Sequence, residues 1–352
     1  MSKFLLFLLL LIIVLFLILL ATYKIETSPV SSNTDSKIIS VSQGDNYFTI
    51  ASKLKAKNLI RSETFYKLYL KFSKPSSLID GDYELNEAMS TAEIIKVLSD
   101  KNSQKNSIVK ITFREGLNIR QMAKIVENKT GISQSDFINK ISDINYLKTL
   151  QKDYWFLTDD IYNSQIYYPL EGYLFPDTYH FERSELNIDA IVRKILDNTL
   201  VKLNPYKTEL LSGTYTIHQK LTIASLIELE ASTDDDRSLV ASVFYNRLNK
   251  NWSLGSDVTT YYASKKNLTE TLTKNDLNAC NGYNTRCLTM KGLPVGPIDN
   301  PSISSIKATI YPASSDYYYF VADTSKEVYF SKTATEQATT IAKLKKAGKW
   351  AE

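Results

Sequence analysis

Histidine and cysteine are nearly missing from this chain: two of each among 352 residues. His180 and His218 lie far apart with no third ligand type clustered beside them, which removes most metal sites and most histidine-dependent nucleophiles. No metal and no cofactor are expected. Cys280 and Cys287 match no common zinc or redox spacing. In an oxidising compartment they close a small loop; otherwise they are two free thiols. A charge excess is missing too. Lys and Arg exceed Asp and Glu by 42 − 38 = 4, scattered among acids without a basic stripe, so nucleic acid is not an expected partner. The 43% hydrophobic content suits packed cores, and the length suits about two globular domains. Whatever chemistry occurs should run on carboxylates.

What the chain does have begins at its N-terminus. From Phe4 to Ala21 no residue is charged, and as a helix this run covers about 27 Å, close to the hydrocarbon thickness of a bilayer. It is longer than a usual signal-peptide core, and Ala21-Thr22-Tyr23 offers no small-x-small cleavage site. An uncleaved anchor is therefore expected over residues 1–22. The α-amino group and Lys3 precede the run while Lys24 and Glu26 nearly cancel after it, which keeps the short N-terminus cytoplasmic and the rest outside. Residues 23–37, rich in Ser, Thr, Asn and Asp, read as a flexible linker with a reach of roughly 20–25 Å.

Residues 38–107 read as a small βα module. A strand over Ile38–Ser42, a turn at Gln43-Gly44-Asp45, helical spacing through Ile50, Ala51 and Leu54, and a second helix over Ser62–Phe72 are followed by a turn at Asp80-Gly81-Asp82. A third helix, Ser90–Leu98, has Ser90 or Thr91 as its cap and Glu93 in its first turn. Seventy-two positions on, Ile111, Phe113, Gly116, Met122, Ala123 and Val126 echo Ile39, Val41, Gly44, Ile50, Ala51 and Leu54. One strand, glycine turn and helix unit is used twice. The polar run Lys101–Ser107 marks the boundary to a larger α+β domain, 108–352. Its helices fall at Ile119–Lys129, Gln134–Ile141, Ile188–Leu203, Lys220–Ala231, Arg237–Leu248 and Thr335–Ala347, and Tyr317–Ala322 with Glu327–Ser331 suggests a hairpin.

Within that domain Ile223–Ala231 is the informative stretch. At about 100° per residue Glu230 falls in line with Ile223, Leu226 and Ile227, whereas Glu228 points with Leu221, Ala224 and Ser225. A carboxyl set against Ile and Leu loses solvation as an anion, so it holds a proton that it can donate near neutral pH. The plainer alternative is a glutamate that ends an apolar face and swings into water. Nearby, Asn246 and Arg247 end a helix, Leu254–Tyr261 is a loop dense in hydroxyls that suits sugars, and Tyr283-Asn284-Thr285-Arg286 precedes the stiff Gly292–Ile298 turn sequence. Leu170–Tyr179 alternates aromatic and polar groups, as a groove wall or as a strand and turn over the core.

Six segments in this order, LEGYLFPDTYHF (170–181), ASLIELEAS (224–232), DRSLVASVFYNRL (236–248), SDVTTYYA (256–263), YNTR (283–286) and GLPVGPIDNPSISSIKA (292–308), resemble the YceG-like endolytic murein transglycosylases. The resemblance covers essentially the whole chain and implies an N-terminal transmembrane helix, a LysM-like module near residues 38–100 and a mixed α+β catalytic domain. It also implies that the essential acid, the second glutamate of an E-x-E pair, is Glu230. Three positions depart from the pattern: Leu229 where a basic residue is usual, Val258 inside the usual Asp-Pro-Thr, and Val295 inside a usual double proline. The implied reaction cuts the β-1,4 bond between N-acetylmuramic acid and N-acetylglucosamine and leaves a 1,6-anhydro end. Asp257, Thr259, Asn246, Tyr283 and Asn284 are the expected sugar-holding residues. Expected partners are peptidoglycan glycan strands, the bilayer and peptidoglycan synthases, at the outer face of a bacterial cytoplasmic membrane. Two alternatives stand beside this: a muramidase-type hydrolase with Asp257 as second acid, and a noncatalytic wall-binding scaffold that recruits synthases.

Overall fold

The structure, a computed structural model, describes residues 3–42, 44–104 and 108–350. The expected turn residue Gln43 and the last three residues of the expected boundary, 105–107, lie outside these. In chain order the first elements are α1 (Lys3–Glu26), β1 (Lys37–Val41), α2 (Ala51–Ala56), α3 (Glu63–Ser73), β2 (Gly81–Leu85), α4 (Thr91–Leu98) and β3 (Ile108–Thr112). Next come α5 (Ile119–Thr130), α6 (Gln134–Ser142), α7 (Ile144–Gln151), β4 (Thr178–Glu182), α8 (Ile188–Leu203), α9 (Lys207–Leu211) and α10 (Ile217–Glu230). The chain ends through α11 (Asp234–Asn249), α12 (Asp257–Ala263), α13 (Lys274–Asn278), α14 (Ile303–Ile310), β5 (Tyr319–Ala322), β6 (Val328–Ser331) and α15 (Ala334–Lys346). The fold is mixed α+β and divides into two compact units, 1–109 with 181–186, and 110–180 with 187–352.

In the first unit β1 and β2 pair antiparallel, Lys37 opposite Leu85 and Val41 opposite Gly81. The sequence shows a turn where β2 lies, because Asp82 and Glu84 dilute it; the strand exists because Tyr83 and Leu85 are driven into a core with Ile39, Val41, Ile50, Leu54, Tyr66, Leu70 and Ile94. Ser90 caps α4 in a full capping box with Glu93, as its spacing predicts. Helix α1 is exposed, and among the described residues it is the one helix long and apolar enough to cross a membrane.

The segment read as a flexible linker is not one. Helix α1 continues to Glu26, and the residues after it are bonded to the module: the Thr91 amide donates to the Thr27 carbonyl (3.1 Å), the Ser31 amide to the Glu87 carbonyl (3.1 Å) and the Ala88 amide to the Asn33 carbonyl (3.1 Å). The Arg61 guanidinium donates to the carbonyls of Pro29 (2.7 Å) and Val30 (3.0 Å). A polar composition reports that a segment lacks a core of its own. It does not report whether its backbone finds partners elsewhere.

The 72-residue echo is structural. Ile39, Val41, Ile50, Ala51 and Leu54 are buried, and so are Ile111, Phe113, Met122, Ala123 and Val126. Gly44 (φ +93°) and Gly116 (φ +73°) both turn the chain through left-handed backbone. In the second unit α10 packs against α11, α12 and α14 around Ile223, Leu226, Ile227, Val240, Phe244, Tyr262, Tyr283 and Ile298. Strands β5 and β6 form the expected hairpin, Tyr319 opposite Ser331 and Ala322 opposite Val328.

Cys280 and Cys287 are joined in a disulfide. Protein secreted by an oxidising host should therefore weigh two hydrogens less before reduction than after it. Two thiols that react under native, non-reducing conditions would contradict the bond.

Candidate active site

Helix α10 departs from its sequence reading in an instructive way. It is not amphipathic: Ile217, His218 and every residue from Lys220 to Ile227 are buried. Its polar residues are satisfied inside. The Thr222 hydroxyl donates to the His218 carbonyl (2.8 Å), the Ser225 hydroxyl donates to the Thr222 carbonyl (2.8 Å) and accepts from the Ile298 amide (3.0 Å), and the Lys220 ammonium donates to the carbonyls of Glu209, Leu210 and Ser212. Helical phase alone could not separate a polar face in water from one bonded within the protein. Apart from Gln219 in the first turn, the part of the helix that opens towards the surface is its last turn, Glu228-Leu229-Glu230.

The two acids of that turn have different surroundings. The Glu228 side chain is 7% exposed and accepts from the Ser302 amide (2.8 Å) and from the Ser302 (2.5 Å) and Ser305 (2.7 Å) hydroxyls, with Arg237 at 3.7 Å. It ties α10 to the start of α14. Among the described residues, the donor to Glu230 is the Ser256 hydroxyl, 2.6 Å from Oε1. Burial pushes its carboxyl up to about 6, against the Ser256 bond; Asp257 adds to the rise, and Arg247 and Arg286 oppose it. A desolvated acid that keeps its proton up to about pH 6 suits general acid chemistry.

Ser256 is itself held. Its amide donates to the Thr285 hydroxyl (3.0 Å), its carbonyl accepts from the Thr259 hydroxyl (2.6 Å), and the two threonine hydroxyls are 2.8 Å apart. The hydroxyl-rich segment is thus no open loop from Asp257 on, but the start of α12, its hydroxyls turned inward. Arg247 reaches the carbonyls of Tyr318 and Leu254, both at 2.6 Å.

The expected sugar-holding residues separate into three places. Asp257 is exposed (56% for the side chain), paired with Arg286 at 3.1 Å, and acts on Glu230. Asn246 is half-buried and donates to the carbonyls of Ser315 and Tyr317, both at 2.9 Å. Thr259, Tyr283 and Asn284 are fully buried: Asn284 donates to the carbonyls of Asp276, Leu277 and Ala279 and accepts from Thr260 and Arg286, and the Tyr283 hydroxyl accepts from the Tyr167 amide (3.2 Å). These three position the loops around the acid, with no surface of their own for a sugar.

Other contributors escaped the sequence. Trp252 lies 5.2 Å from the Tyr318 ring and 6.4 Å from that of Tyr319, and Arg247 covers Tyr319 at 5.3 Å, a group of aromatics around an arginine whose charge acts on Glu230. Their strand-like setting disguised them. Two acids are sealed in as well. Glu171 accepts from the Ile119 amide (3.0 Å), the Tyr262 hydroxyl (2.9 Å) and Asn300 (3.1 Å), yet burial pushes it up to about 8. Asp299 is 1% exposed with both carboxyl oxygens unpartnered, and burial holds it well above its ordinary value. Leu170–Phe175 is the covering turn of the core. His218 is structural, between the Tyr173 hydroxyl (2.8 Å) and the Val295 carbonyl (3.0 Å). A cavity of about 650 Å³ beside it, lined by Asp160, Thr216 and Val295, opens at the far end of α10, about 18 Å along the helix from Glu230.

The raised Glu230 pKa fixes a sign. Folding favours its protonated form, so its contribution to stability is complete below the ordinary 4.5 and is lost as pH rises through about 6, a cost of about 2 kcal/mol. Glu230→Gln should melt like the wild type at pH 4 and clearly higher at pH 8. Equal melting temperatures at both would show a hydrated, ordinary glutamate.

The profile of the YceG-like family matches residues 39–343. An endolytic murein transglycosylase of Bacillus subtilis is 36% identical over 310 residues, 88% of this chain and 85% of that protein. One of Streptococcus pneumoniae is 30% identical over 331 residues; these are 89% of this chain and 59% of that longer protein. A crystal structure of a yceG-like protein from Listeria monocytogenes superposes with a TM-score of 0.63 at 33% identity, over 88% of this chain and all of that one. The chain belongs to the YceG-like family.

Proposed function

We propose that this chain is a membrane-anchored murein transglycosylase that cuts peptidoglycan strands internally, between N-acetylmuramic acid and N-acetylglucosamine, leaving 1,6-anhydro ends. The observation that carries the proposal is Glu230: a desolvated carboxyl with one hydroxyl donor, under the charge of an arginine set among aromatics. The names of the relatives support the substrate and the reaction class. Glu230 gives its proton to the bridging oxygen as the glycosidic bond breaks. The resulting carboxylate takes the proton of the muramyl C6 hydroxyl as that oxygen bonds to the anomeric carbon. No water is consumed and the acid is restored. Because the nucleophile belongs to the substrate, one carboxyl serves both steps, whereas most glycosidases need two. Asp257, the other carboxyl acting on Glu230, is neutralised by Arg286, which favours the one-acid route over a hydrolase.

In this proposal α1 spans the cytoplasmic membrane with the two units outside it. The β1–α2–α3–β2 unit serves as the LysM-like wall-binding module, Asp257 and Asn246 edge the sugar path, and peptidoglycan synthases are the protein partners.

Purified sacculi digested with wild type and Glu230→Gln side by side test this. The wild type should release anhydro-ended fragments, with activity falling as pH rises through about 6, and the variant should be slower by at least about a hundredfold. Reducing ends carrying an added water would instead identify a hydrolase. Undiminished cutting by the variant would remove Glu230 from the chemistry, and a variant that cannot cut yet sustains the cellular role would indicate a scaffold.

A further inference from the structure

Helix α3 buries Tyr66 and Leu70 in the module core. At about 100° per residue Phe65, Leu68 and Phe72 share the opposite side within an arc of roughly 60°. Such a face should repel water, yet Phe72 is 74% exposed, more than any other large apolar side chain described in the first unit. The direction of α3 relative to α1 follows from two contacts. Arg61, just ahead of α3, bonds the carbonyls of Pro29 and Val30, while the Phe65 ring lies 6.4 Å from that of Tyr23, in the last turns of α1. Moving back along the chain from residue 30 to 23, the partner advances from 61 to 65. Helix α3 therefore runs antiparallel to the end of α1, and its remaining turns, about 10 Å from Phe65 to Phe72, point back towards the apolar run. Lys71 and Lys74 flank Phe72, and neither has an ion-pair partner among the described residues.

We propose that α3 is a second membrane contact, seating Phe72 in the interface of the bilayer that α1 crosses, with Lys71 and Lys74 on anionic headgroups. An exposed aromatic ring between ammonium groups is the pattern of an interfacial helix. The occupant is the bilayer because the same face is already covered at its Phe65 end by the helix that enters that bilayer. The proposal rests on the membrane anchor proposed above.

The test uses the full chain in vesicles of anionic and zwitterionic lipid, with an environment-sensitive fluorophore on Phe72→Cys, Ile13→Cys or the exposed control Ser52→Cys, the native cysteines being joined. Phe72 is exposed, so its replacement spares the core. Expected is a probe at 72 quenched by nitroxides near the headgroups and several-fold less open to aqueous iodide than the probe at 52, the shielding being reduced by Lys71→Glu with Lys74→Glu. A lipid-buried probe at 13 beside a probe at 72 as iodide-accessible as that at 52 overturns the docking and leaves the anchor standing. A water-exposed probe at 13 overturns both. Shielding at 72 that follows protein concentration and ignores lipid charge assigns the face to a second copy and overturns the bilayer as its occupant.

Discussion

The site depends on withholding water from one carboxyl while denying it a full set of donors. Glu230 sits where a helix buried from Lys220 to Ile227 comes to its end, so its desolvation is a by-product of how that helix is packed. Glu228, two residues earlier, shows the alternative outcome: three donors and a nearby arginine make it a fastening. What separates an acid from a bolt is the number of hydrogen bonds its neighbours supply.

That number is controlled from outside the helix. Ser256 reaches Glu230 from a turn whose own position is set by the Thr259 and Thr285 hydroxyls. Further in, Asn300 donates to Glu171 and to the Leu117 carbonyl and accepts from the amides of Gly172 and Leu174, which knots three distant stretches of chain together. At Gly172, with φ +85°, an added Cβ would fall 2.5 Å from Pro297, so the knot leaves no room for any other residue. Rigid surroundings of this kind keep an acid aligned without reorganisation during the reaction.

Much of this was legible in the sequence. The apolar run, the capping box at Ser90, the terminal hairpin, the 72-residue echo and the different surroundings of Glu228 and Glu230 followed from spacing and residue type. The failures share one cause. Thr259, Asn284, Tyr283, Glu171 and the polar positions of α10 are buried and internally bonded, and a sequence shows polarity without showing who answers it. The same blindness turned residues 27–36 into a linker and β2 into a turn. Conversely, Trp252, Tyr318 and Tyr319 looked like ordinary strand and loop aromatics because nothing local records that Arg247 lies beside them.

The bonding of residues 27–36 to the module they precede changes how the first unit can travel. A domain on a leash sweeps a hemisphere, and its encounters are governed by chain entropy. Under the membrane anchor proposed for α1, a unit fastened straight to that helix would have no such hemisphere. Its search would be confined to a sheet, at a pace set by the viscosity of the lipid, and it would meet only what lies at the height it already occupies.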